Sequence, residues 1–215
     1  MYPSAMHVMT LTIGSEFRLS TVGSAFYGFV HLGSVEVRSL HAGIKSLCNA
    51  GAFFVINNEV VLRAATLSQI AIIERLGYQA MQICGVVESK GRLTYIDDCS
   101  DTILSFPARM GDPCLNHLHF PKGILQSQHT HPSIRLGIIF QGNGYVWGPN
   151  FKEPLEQGMV FCLDEGERHS FMTTDNNTMD VIAFHPDSDW GPTDMQHPML
   201  NRTYIVAKGR YGENT

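Results

Sequence analysis

Apolar residues along this chain come in short continuous runs of four to six, set between glycines and turn-forming residues. Phe26-Tyr27-Gly28-Phe29-Val30, Phe53-Phe54-Val55-Ile56 and Ile70-Ala71-Ile72-Ile73 are such runs in the first half. Leu136 to Phe140, Met159 to Leu163 and Val181 to Phe184 are their counterparts in the second. Runs of this length, rich in β-branched and aromatic residues and bounded by turns, predict buried strands at the spacing of a sandwich or barrel. Sustained helical periodicity is absent. Thr66 to Leu76 has the length of a short helix, but its Ile-Ala-Ile-Ile centre suits a buried strand better. The prediction is an all-β fold.

The pattern also repeats. At an offset of 109, Gly14 to Val22 lies on Gly123 to His131, and Gly28 to Gly33 lies on Gly137 to Gly142. At an offset of 107, Gly51 to Asn57 lies on Gly158 to Asp164. Glycines meet glycines and strands meet strands, so two tandem β units are expected, residues 1–95 and 96–215, with the boundary near residues 88–100.

Composition narrows the function classes. Fifteen Lys+Arg against 20 Asp+Glu give a net charge of −5, and no basic block is present, so a nucleic-acid partner is not expected. No apolar run approaches the roughly 20 residues of a membrane span, and the N-terminus lacks a signal pattern, which predicts a soluble cytoplasmic protein with no membrane partner. The five cysteines never form C-x-x-C, so reduced thiols are expected rather than a disulfide framework or a zinc knuckle. Histidine is the unusual residue: seven of the 10 fall between His117 and His197.

Two of these, His129 and His131, are spaced so that on a strand both rings share one face and can hold one ion. His169 follows the turn Asp164-Glu165-Gly166-Glu167-Arg168. Three convergent imidazoles suit a divalent metal. The spacing around them resembles the cupins, small β-barrels whose motifs run G-x5-H-x-H-x3-4-E-x6-G and G-x5-P-x-G-x2-H-x3-N. Gly123, His129, His131 and Gly142 fit the first motif, with Arg135 where the glutamate belongs. Gly158, Gly166 and His169 fit the second, with Asp164 for the proline and Thr173 for the asparagine. Fifteen residues separate the motifs. The resemblance covers about residues 100–190, and reaches the first half only through the repeat. There Ser20, Val22 and Leu62 take the places of the three histidines, which implies a bicupin with two jelly-roll barrels, the N-terminal one degenerate and without metal.

A cupin centre of three histidines without the glutamate resembles that of thiol and diketone dioxygenases. It implies Fe(II) on His129, His131 and His169, with Zn, Mn and Ni as alternatives. Three neutral imidazoles leave the ion's full positive charge, and a guanidinium cannot ligate. Arg135 is therefore expected to swing aside or to pair with a small anionic organic substrate. Tyr145 and Trp147, after the turn at Gly142, are candidates to wall the pocket. His117-Leu118-His119 is a second H-x-H, and His119 is the candidate to line the cavity beside the metal. His185, before Pro186, is placed at the barrel mouth as an acid/base. Glu165 and Glu167 are expected to be solvated turn carboxylates, and His197 a surface residue. Besides a dioxygenase, the barrel accommodates a metal-dependent isomerase, epimerase or lyase of sugars or carboxylic acids, and a non-catalytic ligand-binding or sensory bicupin. The resemblance also implies a homodimer.

Overall fold

The computed structural model describes residues 3–39, 41–188, 204–205 and 209–210. Strands β1 (Ser4–Leu11), β2 (Glu16–Leu32), β3 (Ser34–Ser39), β4 (Ile44–Asn49), β5 (Ala52–Ala64), β6 (Ser68–Arg75) and β7 (Ile83–Val86) form one sheet. Its order is β1-β6-β2-β5-β3-β4, with β7 also on β5. The second sheet is made by β8 (Leu93–Thr94), β9 (Ser100–Ser105), β10 (Cys114–Phe120), β11 (Arg135–Gly148), β12 (Phe151–Glu156), β13 (Val160–Leu163), β14 (Ser170–Met172) and β15 (Met179–His185). Its order is β12-β11-β15-β10-β9-β8, with β13 and β14 also on β11. All pairings are antiparallel. A small hairpin, β16 (Tyr204–Ile205) with β17 (Gly209–Arg210), follows. Among the described residues the one helical element is a 3-10 turn at Ile96–Asp98, and no helix is long and apolar enough to cross a membrane.

The continuous apolar runs now have a physical cause: their strands are covered on both faces. In β2, Phe26 and Val30 enter the core of the first sheet, while Ala25, Tyr27 and Phe29 enter a core shared by both sheets. In β15, Ile182 and Phe184 enter that shared core, while Met179, Val181 and Ala183 enter the core of the second sheet. Tyr27 meets Phe184 at a ring separation of 4.9 Å, and Phe29 meets Phe140 edge-on at 5.0 Å. At about 1.5–3 kcal/mol for each large buried side chain, separating the sheets would expose on the order of 20 kcal/mol of apolar contact. The two sheets therefore form one body.

The repeat is built into the backbone. The Gly51 N–H donates to the Val30 carbonyl at 2.9 Å, and the Gly158 N–H donates to the Ile139 carbonyl at 2.8 Å. Gly51 and Gly158 have φ of +86° and +87°, a region that favours glycine. A Cβ on Gly28 would lie 2.0 Å from the Phe54 ring, and one on Gly137 would lie 2.3 Å from the Phe161 ring. The same close approach of strand backbone to phenylalanine thus occurs in both halves.

One detail of the repeat is corrected by the register. The Ala64 N–H donates to Ser15 as the Thr173 N–H donates to Ile124, which sets Val60 where His169 stands. Val60 pairs with Leu19 as His169 pairs with His129. Leu19 and Val60 both pack on the first sheet's core, whereas Val22 is 91% exposed. Leu62 takes the place of Phe171, two residues further along. The offset of 107 fails here because four residues separate Asp164 from His169 where only two separate Asn57 from Val60.

Candidate metal centre

His129, His131 and His169 converge. Their ligand atoms all lie within 4.8 Å of one another, and their ring centroids are 4.6–5.1 Å apart. The backbone brings them together by a single bridge. The His129 N–H donates to the His169 carbonyl at 2.9 Å, and the His169 N–H donates to the His129 carbonyl at 3.0 Å. This pairing sets the two side chains on one face, and His131, two residues on, joins them. The Gly166 N–H donates to the His131 carbonyl at 2.9 Å, tying the Asp164–Glu167 turn to the same wall.

Carbonyls two residues upstream orient two of the rings. His129 Nδ1 lies 3.0 Å from the Ser127 carbonyl, and His169 Nδ1 lies 2.8 Å from the Glu167 carbonyl. A carbonyl accepts only, so each Nδ1 carries the proton and each Nε2 offers its lone pair. Ser127 is itself held, because its N–H donates to the Asp97 carboxylate. His169 is 1% exposed, and its Nε2 has no hydrogen-bond partner. A buried unpaired nitrogen costs about 1–3 kcal/mol. A divalent metal at about 2.0–2.1 Å from such nitrogens would satisfy it, so the donor set fits the ion.

Electrostatics favour the neutral, ligating form. Burial pushes His131 down to about 3, helped by the charge of Arg135 and by its neighbours His169 and His129. Burial also lowers His169, against the hydrogen bond from its ring to Glu167. Burial, Arg135 and His131 hold His185 well below the usual histidine range.

The cavity around the three rings is tight, about 20 Å³. Arg135 and His185 line it, together with Tyr95, Gln126 and an apolar wall that includes Leu118, Phe120, Phe161 and Phe171. His185 stacks obliquely on His131 at a ring separation of 6.1 Å. Arg135 is 7% exposed, on the inward face at the start of β11. Its Nη1 donates to Ser133 Oγ at 2.6 Å and to the Ile134 carbonyl at 3.0 Å, and lies 3.7 Å from Asp187. Thr173, at the asparagine position, accepts from the Ile124 N–H at 3.0 Å and donates to the Pro121 carbonyl, joining two loops. Glu167 turns its carboxylate to the Asp164 N–H at 3.0 Å, so its carbonyl, not its side chain, serves the site.

Three expected pocket residues lie elsewhere. His119 is on the opposite face of β10 from Leu118 and Phe120, and its Nδ1 is 2.8 Å from the Asp180 carboxylate, which also meets His117 Nε2 at 2.9 Å. Tyr145 and Trp147 flank the inward-facing Val146 and point away from the pocket, with Lys152 Nζ 4.5 Å over the Tyr145 ring. A register shift in β11 between Ile139 and Gln141 sets this parity. His197 lies outside the described residues.

Sequence reasoning missed Gln126 and Tyr95. Gln126 is 1% exposed; its Oε1 accepts from the Phe171 N–H at 3.3 Å, and its Nε2 has no partner. An amide so fixed presents its donors to the pocket. Its position three residues after Gly123, inside the first motif, was the available signal. Tyr95 enters from the turn before β9, which carries no motif.

No protein-family model matches the chain, and no curated protein matches it by sequence. Solved structures do match its shape. A cupin 2 conserved barrel domain protein from Leptotrichia buccalis is 14% identical, with a TM-score of 0.65 over 86% of this chain and 84% of that one. Protein Ylba from E. coli is 15% identical, with a TM-score of 0.67 over 88% and 79%. A Bacillus subtilis oxalate decarboxylase with Mn(II) centres is 10% identical, with a TM-score of 0.60 over 88% and 70%. The fold is therefore the all-β cupin jelly roll.

Proposed function

We propose that this chain is a bicupin metalloenzyme with one loaded barrel. Residues 1–95 form a cupin unit in which apolar packing, including Leu19 and Val60, has replaced a metal site. Residues 96–215 form the unit that holds a divalent transition metal on His129, His131 and His169. The observation that carries this reading is the buried, unpartnered Nε2 of His169 aimed at two further imidazoles, all within 4.8 Å. The reaction proposed is Fe(II)-dependent dioxygenation of a small anionic organic molecule. Fe(II) supplies an oxygen-activating centre when bound, and Zn, Mn or Ni in its place a Lewis acid.

The chain's own residues define the substrate. Three neutral imidazoles would leave a bound ion's charge uncompensated, and Arg135, partly balanced by Asp187, adds positive charge at the wall, so the pocket favours an anion. Gln126 offers amide N–H donors to a carboxylate or carbonyl oxygen. His185 is the candidate acid/base beside His131, although burial and the charge of Arg135 make it a weak base and so chiefly a hydrogen-bond partner for a bound group. The cavity is only about 20 Å³, room for an ion and a water rather than the roughly 300 Å³ or more of an open ligand site, so a substrate has to be compact and to displace part of the pocket wall. The same reading makes the protein cytoplasmic and a homodimer.

A second reading, ligand binding or sensing without turnover, is favoured by Arg135 standing in the glutamate position. A metal-dependent isomerase, epimerase or lyase shares the site with the dioxygenase, and the oxalate decarboxylase of the same fold supports that variant. Elemental analysis of the purified protein tests the metal: about one equivalent is expected, lost in His129→Ala and His169→Ala. An oxygen-consumption screen against small thiols, diketones and aromatic acids then tests the chemistry. Metal without oxygen uptake would move the assignment to the lyase or sensory reading.

A further inference from the structure

The first sheet carries a pair of thiols that the proposed metal chemistry does not use. Cys48 Sγ on β4 and Cys84 Sγ on β7 lie 3.5 Å apart, at van der Waals contact. Cys48 is 1% exposed within the first core, while Cys84 is open to solvent. Among the described residues β4 pairs only with β3, and β7 only with β5, so the two strands share no backbone ladder. Both ends of β7 are nonetheless fixed. The Asn57 N–H donates to Gln82 Oε1 at 3.1 Å before it, and the Val87 N–H donates to the Gly51 carbonyl at 2.9 Å after it. The sulfurs therefore face each other from two positioned strands. A disulfide at about 2.05 Å requires them to close by roughly 1.5 Å, within side-chain rotation.

We propose that Cys48 and Cys84 form a reversible disulfide by exchange with a small-molecule disulfide such as glutathione disulfide, covalently joining two strands that hydrogen bonding leaves separate. The exposed Cys84 thiolate attacks one sulfur of the small disulfide, forming a mixed disulfide and releasing one small thiol. Cys48 then attacks Cys84 Sγ, and the second small thiol leaves. The protein gives up two electrons and two protons, and the small disulfide takes them as two thiols. Cys48, pushed up to about 12 by burial and by contact with Cys84, is poorly suited to begin the exchange and serves as the resolving thiol. The bridge closes a loop with a sequence separation of 36 residues, restricting the unfolded chain.

The test uses the full chain with Cys162, a second exposed thiol, replaced by serine. After incubation with glutathione disulfide and alkylation, tryptic digestion without reductant should yield peptide 46–63 linked to peptide 76–90. The link should disappear with dithiothreitol. Cys48→Ser should stop at one glutathione on Cys84, and Cys84→Ser should leave Cys48 unmodified. Oxidation should raise the urea midpoint of the parent and leave that of Cys84→Ser unchanged. Because serine is polar in a core, Cys48→Ala provides the same test if Cys48→Ser unfolds. Absence of the linked peptide from folded, oxidised protein, or stable glutathionylation of Cys84 in the parent, would overturn the proposal.

Discussion

Replacing His169 by alanine distinguishes a metal ligand from a structural histidine, because only a ligand ties the residue to metal affinity and the two roles differ in their cost to the metal-free protein. Two terms oppose each other there. The change deletes the Nδ1–H bond to the Glu167 carbonyl, worth about 1 kcal/mol. It also removes a buried nitrogen without a partner, a burden of about 1–3 kcal/mol. Together the two terms offset up to about 2 kcal/mol of the packing lost with the ring, so the metal-free variant is expected to be cheaper than an ordinary core truncation. A histidine that served only as core would instead cost about 2–5 kcal/mol, as other large-to-small core substitutions do. Metal affinity responds differently. Structural zinc sites with four ligands bind with about 10–16 kcal/mol, roughly 2.5–4 kcal/mol per ligand, so losing one should weaken binding about 100- to 1,000-fold. Urea denaturation of chelator-treated protein measures the first quantity, and competition for Zn(II) against a chromophoric chelator measures the second. A metal-free variant destabilised by more than about 3 kcal/mol with unchanged Zn(II) affinity would refute the assignment.

Other outcomes follow from the same geometry. Arg135→Glu changes the local charge by two, so it should weaken binding of small carboxylates at least tenfold, about 1.4 kcal/mol, and strengthen metal binding, both readable by calorimetry. Metal-free protein should lose stability on acidification. His131, His169 and His185 stay neutral when folded but take protons below about pH 6.5 when unfolded, so the unfolded state binds more protons. The loss should begin near that pH and continue toward about 3 for His131, at no more than about 1.4 kcal/mol per pH unit from each group, in urea titrations across pH. Gly28→Ala and Gly137→Ala should each destabilise by about 1–3 kcal/mol, because each Cβ meets a phenylalanine ring. A neutral result at either would contradict the close strand approach in that half.

The features that sequence made legible are those carried by local spacing, and those it misplaced depend on parity. The apolar runs gave the strands because a strand covered on both faces needs no alternation to be recognised. The i, i+2 spacing of His129 and His131 gave their shared face, and glycines at fixed separations gave the turns that return His169 to them. Tyr145, Trp147 and His119 could not be placed in this way. Whether such a residue faces the barrel depends on its count from a bulge, and the shift between Ile139 and Gln141 leaves no composition signal. The same blindness displaced the partners of the repeat, where a stretch two residues shorter than the one before His169 puts Val60, not Leu62, in the histidine position. Arg135 shows the other limit. The acceptors that hold it are Ser133 and Ile134, its immediate neighbours in the chain, and Asp187, a distant residue that no motif marks. One position on the pocket wall therefore carries a braced cation in place of an acidic donor. The proposed anion preference and the missing glutamate thus rest on one residue, and Arg135→Glu is expected to reverse both together.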